Sequence, residues 1–248
     1  MLKDFTKEAF DIVIQAGQSN AEGSGFGDAA MPYQPKDTVY MMEPDRTVFK
    51  AREIVWDNAI RGNFALSFAD AYLNAGLLRE GRKLLILRTA VGGTGFSDGR
   101  WGKTDHLFLQ MLDMTREALS LNPENRVVCL LWHQGETDAI NRMDYDAYKQ
   151  NLHTLISLTR AAFGPIPFIE GDFVQQWIGE NGAICRPIRA AMRDVCAEAE
   201  ACAFVETDGL FSNDQANKGC GDTIHFSRQA LYLLGQRYFE AYRDLRAD

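Results

Sequence analysis

Apolar residues fall along the chain in short runs, each closed by a polar turn. The first run, Phe10 to Ala16, ends in Gly17-Gln18-Ser19-Asn20 and reads as a strand entering a tight turn. Glycines dominate to about Gly27, and residues 38–56 read as an irregular insertion with a hairpin around Pro44-Asp45. Phe64, Phe68, Ala69, Tyr72 and Leu73 then recur at helical spacing, with Gly76 and Gly81 bracketing the helix end. Leu84 to Leu87 is the next strand and leads through Val91 into Gly92-Gly93-Thr94-Gly95; a helix from about His106 to Leu121 stops before Pro123. Val127 to Trp132 is apolar without alternation, the pattern of a strand covered on both faces, and ends in His133-Gln134-Gly135-Glu136. Tyr145, Tyr148, Leu152, Leu155 and Ile156 stripe another helix, and Ile166 to Phe173 is strand-like. Ile184 to Glu200 reads as helix, Cys202 to Val205 as the last strand, and Ser227 to Leu245 as a helix with Leu231, Leu234, Tyr238 and Tyr242 on one face.

Five strands alternating with about five helices through short connections predict an α/β fold, a three-layer α/β/α sandwich with a five-stranded parallel sheet. No repeat, low-complexity tract or linker interrupts the pattern, so one domain over 1–248 is expected. Composition narrows the partners. With 34 Asp and Glu against 26 Lys and Arg, the net charge of −8 speaks against a nucleic acid or an anionic membrane surface. No apolar run approaches the roughly 18 residues of a membrane-spanning helix. The stretch Asp11 to Ile14 is too short for a signal-peptide core, and the five cysteines are odd in number without a C-x-x-C pair; a cytoplasmic location is expected.

The chemistry-bearing residues gather where strands end, which is where open parallel sheets bind ligands. Ester hydrolysis needs a nucleophile, a base, a group that orients the base, and donors for the developing oxyanion. Ser19 in its tight turn is the candidate nucleophile. His225 is the candidate base, because Asp222 lies three residues before it and suits the second imidazole nitrogen. The backbone N–H groups of Ser19 and Gly93, with the Gln134 side-chain amide, are candidates for one oxyanion hole. Trp101 and His106 follow the second glycine cluster and serve either as packing or as pocket lining; the insertion at 28–62 and the loops at 95–105 and 175–183 are expected to shape the pocket. Gly102-Lys103-Thr104 has the ending of a phosphate-binding loop, but Ser97 stands where its first glycine is required. No cysteine, histidine or acid pair has zinc spacing.

The blocks Ile14-Gln15-Ala16-Gly17-Gln18-Ser19-Asn20, Gly92-Gly93-Thr94, Trp132-His133-Gln134-Gly135-Glu136 and Asp222-x-x-His225-Phe226-Ser227 resemble the ordered blocks of the SGNH hydrolases. Within that superfamily they are similar to the sialate O-acetylesterase and acetylxylan-esterase-like branch. The resemblance implies a flavodoxin-like fold and serine-dependent removal of acyl groups, typically acetyl from a sugar hydroxyl, without a metal or organic cofactor. It carries over Ser19 as nucleophile, His225 as base, Asp222 as orienting acid, and Ser19, Gly93 and Gln134 as oxyanion donors. The partner it implies is a small-molecule or oligosaccharide acyl ester. Two alternatives stand beside this reading: Glu136 competes with Asp222 as the acid that orients His225, and the same scaffold would suit a carbohydrate-binding descendant without turnover.

Overall fold

The computed structural model describes residues 5–246; residues 1–4 and 247–248, the ends of the expected 1–248 domain, lie outside it. The chain order is β1 (Ala9–Gly17), α1 (Ser19–Glu22), β2 (Val39–Met42), β3 (Val48–Lys50), β4 (Ile54–Trp56), β5 (Ala59–Arg61), α2 (Phe64–Asn74) and β6 (Arg82–Arg88). There follow α3 (His106–Ser120), β7 (Arg126–His133), α4 (Glu136–Ile140), α5 (Tyr145–Phe163), β8 (Phe168–Gly171), α6 (Gln175–Glu198), β9 (Cys202–Val205), α7 (Asn213–Ala216) and α8 (Arg228–Asp244).

A seven-stranded sheet runs β3-β2-β6-β1-β7-β8-β9, parallel throughout except for β3. Its five strands β6-β1-β7-β8-β9 are those expected from sequence, and their order is the flavodoxin-like 2-1-3-4-5. The five-strand expectation is corrected at one edge. The insertion's hairpin around Pro44-Asp45 is real, and its arms β2 and β3 join the main sheet, β2 pairing in parallel with β6. Further along the insertion, β4 and β5 form a separate two-stranded hairpin.

Helix α2 packs on α8, and α3 and α6 pack on α5, giving the two outer layers. The β1 residues Phe10 to Gly17 are all buried, which accounts for their unalternating sequence. At the amino end of β1 the fully buried Asp11 carboxylate accepts hydrogen bonds from Tyr72, Arg82 and Arg126 at 2.7–2.8 Å, binding β1 to α2, β6 and β7. Burial alone would raise its pKa, but the hydrogen bonds of Arg126 and Tyr72 and the two guanidinium charges hold it below the ordinary carboxylate value. No helix among the described residues is long and apolar enough to cross a membrane.

The carboxyl end of the sheet is the open one. Because β1 has β6 and β7 on either side, the loops that follow these three strands diverge and leave a crevice between them.

Candidate active site

Ser19 is the first residue of α1, reached from β1 through Gly17 at φ +127°. A Cβ on Gly17 would lie 2.1 Å from the His133 carbonyl oxygen, so only glycine lets the ends of β1 and β7 converge this closely. The Gln18 N–H then donates to that same carbonyl at 2.9 Å. Ser19 opens onto a cavity of about 730 Å³, lined also by Gly92 and Gly93 after β6, Thr137 and Ile140 on α4, and Asp222, Ile224 and His225 before α8. Gly92 lies against Ser19, and nothing stands within 4 Å of the position a Gly93 side chain would take.

His225 Nε2 is 2.8 Å from Ser19 Oγ, and its Nδ1 is 2.8 Å from Asp222 Oδ1. Burial would raise the Asp222 pKa, yet hydrogen bonds from His225 and from the Asn213 amide (2.8 Å) hold it below the ordinary carboxylate value. An ionised Asp222 only accepts, so Nδ1 carries the imidazole proton and Nε2 presents its lone pair to the Ser19 hydroxyl. Asp222 and His225 are each 26% exposed at the side chain, so the pair meets solvent in the cavity.

Glu136 does not touch His225. It is fully buried, and its Oε1 accepts at 2.7 Å from the Asn20 amide nitrogen. Asn20 also donates to the Ile224 carbonyl at 3.1 Å and accepts from the Phe226 N–H at 3.0 Å, gripping the two residues that flank His225. Of the two acids, Asp222 contacts the imidazole, whereas Glu136 holds Asn20 and through it the loop that carries His225. Sequence reasoning placed Asn20 in a motif but saw only a turn residue; its contacts cross 204 and 206 positions.

Gln134 departs from expectation. It is fully buried, and its amide nitrogen donates inward to Asp138 Oδ2 at 2.7 Å, with Gln18 Oε1 and the Thr94 carbonyl at 3.2 and 3.3 Å. Asp138, one helical turn later, also accepts from the Phe96 and Ser97 N–H groups, so it draws the Gln134 amide away from the cavity and onto the glycine loop. Gln18 lines the cavity instead. Its Oε1 is held by Gly135 N–H, Thr137 N–H and the Gln134 amide at 3.1–3.4 Å.

Of the three segments expected to shape the pocket, one does so. Trp56, Asp57 and Arg61 of the insertion form a cavity wall, but neither 95–105 nor 175–183 contributes lining. Trp101 is fully buried, donating to Thr94 Oγ1 at 2.9 Å and stacking edge-on against Trp132, and so supports the glycine loop from beneath. His106 begins α3 and lines no part of the cavity. His133 is fully buried, and burial pushes its pKa down to about 3.

The match to known proteins decides the family. The model of the carbohydrate esterases described as sialic acid-specific acetylesterases covers residues 9–244. The chain belongs to this family. A probable carbohydrate esterase of Arabidopsis thaliana is 24% identical over 93% of the chain and 89% of its own length. A probable 9-O-acetyl-N-acetylneuraminic acid deacetylase of Escherichia coli is 28% identical over 31% of the chain and 28% of its own length. Among solved structures, NanS superposes with a TM-score of 0.81 at 18% identity, over 97% of this chain and 98% of its own. As a member of the sialic acid-specific acetylesterase family, the protein is a carboxylic-ester hydrolase, and the fold that positions Ser19 is shared along nearly the whole chain.

Proposed function

We propose that the protein removes acetyl groups from sugar hydroxyls with Ser19 as nucleophile, His225 as general base and Asp222 as the acid that orients it. The observation that carries this reading is the continuous hydrogen-bonded line Ser19 Oγ, His225 and Asp222, with both links at 2.8 Å and the serine facing a cavity. His225 Nε2 takes the hydroxyl proton as Oγ attacks the acyl carbon, and the carbonyl electron pair moves onto oxygen. Collapse breaks the bond to the sugar oxygen, which leaves with the proton held by His225, and the acyl group stays on Ser19. Water deprotonated by His225 then attacks the acyl carbon; acetate departs and the proton returns to Oγ.

The oxyanion is met by the N–H groups of Ser19 and Gly93. Gln18 supplies the third donor in place of Gln134, since three donors to its Oε1 orient the amide and leave its nitrogen for the cavity. Family membership supports the sugar ester as substrate, as does the name of the Escherichia coli relative for the acetyl group.

The test is hydrolysis of 4-nitrophenyl acetate and of O-acetylated sugars. Ser19→Ala should retain its fold by circular dichroism and lose at least about 10³-fold in kcat. A folded Ser19→Ala protein with the wild-type rate would sink the assignment.

A further inference from the structure

The hairpin of β4 and β5 stands at the mouth of the cavity with an apolar surface turned outward. Val55 is 73% exposed, Trp56 62% and Ile60 47%, three large apolar side chains within six residues. Single exposed hydrophobics are ordinary, but here strand alternation puts Val55 and its partner Ile60 on one face of the hairpin and Trp56, with Ile54 and Arg61, on the other, at the rim of the cavity. The turn between the strands, Asp57-Asn58, has both residues at positive φ (50° and 55°), the tight two-residue reversal that holds Trp56 directly opposite Ala59.

The indole is buttressed by an arginine. The Arg61 guanidinium lies 5.0 Å from the Trp56 ring centroid and 5.0 Å from that of Phe26, while its Nε donates to the Trp56 carbonyl and its Nη1 to the Ser24 carbonyl. Arg61 is only 8% exposed and pairs with no carboxylate among the described residues. A buried cation without an anion is unusual, and here its attraction to two aromatic faces fixes the plane of the Trp56 ring.

Trp56 also belongs to a second cavity. A space of about 340 Å³ bounded by Ile54, Val55, Glu22 and Arg88 shares Glu22, Ser24 and Trp56 with the catalytic cavity. Both volumes lie within the roughly 300–1,000 Å³ of small-molecule sites. We propose that Trp56 divides one continuous cleft into two subsites, and that the second binds a neutral sugar ring joined to the ring whose ester meets Ser19. The inference rests on the sugar-esterase reading of the Ser19 site.

The chemistry of the second subsite matches a pyranose. Trp56 and Ile54 offer an apolar surface to the C–H face of the ring, and Glu22 and the Arg88 Nη2 group offer an acceptor and a donor to its hydroxyl edge. Its charge selects a neutral ring. Arg88 is already paired with Glu43 at 2.9 Å and lies 3.6 Å from Glu22, so no unpaired positive charge is left for a carboxylate.

Three classes of ester test this: 4-nitrophenyl acetate, monoacetylated methyl glycosides of xylose, glucose and mannose, and the corresponding monoacetylated disaccharides. The wild type should favour at least one disaccharide over its monosaccharide. Trp56→Ala should raise KM for that disaccharide about tenfold with kcat retained, a markedly larger rise than for either of the other two classes. Trp56→Phe should restore most of the difference. The subsite is overturned if no disaccharide is favoured, or if Trp56→Ala lowers all three classes alike. A wild type inert on every ester, 4-nitrophenyl acetate included, would overturn the esterase reading instead. In that case calorimetric titration with xylobiose, cellobiose and mannobiose against their monosaccharides judges the subsite alone, and absence of tighter disaccharide binding overturns it.

Discussion

Asn20 follows Ser19 and holds both neighbours of His225, so a single side chain sets the Ser19 to His225 distance. Asn20→Ala should lower kcat on 4-nitrophenyl acetate about 10²-fold, the cost of a misplaced catalytic group, with KM little changed. Glu136→Gln should retain most of the rate, because a neutral amide oxygen still accepts from Asn20 and the buried carboxyl is already pushed by burial towards its neutral form. Glu136→Ala should resemble Asn20→Ala; equal rates in all three variants would remove Asn20 from the positioning role. At this scale the sequence disclosed contacts that are local. Asp222 and His225 are three positions apart and could be paired on spacing. Gln134 could not be placed, since the partner that turns its amide inward, Asp138, owes that power to the Phe96 and Ser97 N–H groups from a distant loop.

Among elements, those of the core strand–helix alternation were readable, while the insertion between β1 and α2 yielded only one hairpin. The helix expected from Ser227 emerged as α8 with Ser227 as its N-cap, accepting from the Ala230 N–H, and the strand read over Cys202 to Val205 is β9. Strand β2 escaped because Val39-Tyr40-Met41-Met42 is buried at every position and four residues give no period to detect. Helix α6 begins nine residues before its expected start at Ile184, since Gly179, Gly182 and a non-helical Asn181 (φ −125°) interrupt its first half. The joint between β1 and α1 is the element boundary on which the site depends. Gly17→Ala, with a forbidden φ and a backbone collision, should cost about 3 kcal/mol in chemical denaturation and abolish activity. Gly76→Ala, at φ +68° with nothing within 4 Å, should cost about 1 kcal/mol and leave turnover unchanged. Comparable losses at both positions would refute the close-approach explanation.

For the molecule as a whole, two buried groups at opposite ends of the sheet lower its stability in acid, while the buried carboxyls of Glu136 and Glu170, pushed up by burial, act in the opposite direction. His133 has a folded pKa depressed to about 3, so from about pH 6.5 downwards the unfolded chain takes up a proton that the folded chain refuses. Stability should fall by up to about 1.4 kcal/mol per pH unit from this group until pH approaches about 3. Asp11, held below the ordinary carboxylate value, contributes stability that is present above about pH 4 and lost as pH falls through its folded pKa. In urea midpoints at pH 7 and 5, wild type should lose more, or gain less, on acidification than His133→Gln; parallel slopes would exclude a contribution from His133. The layered order was legible from the alternation of strand and helix, and so was the insertion's place at the pocket, but not the choice of Trp56 and Arg61 as its wall, because their hairpin packs beside loops remote in the chain. The union of Ser19 with His225 has a further consequence, since 206 positions separate them. During translation the serine leaves the ribosome long before its histidine exists, and the loop that carries the histidine is gripped by Asn20 only once that loop has been made. The Ser19 hydroxyl therefore has no imidazole within reach until translation has passed His225, however early β1 is made.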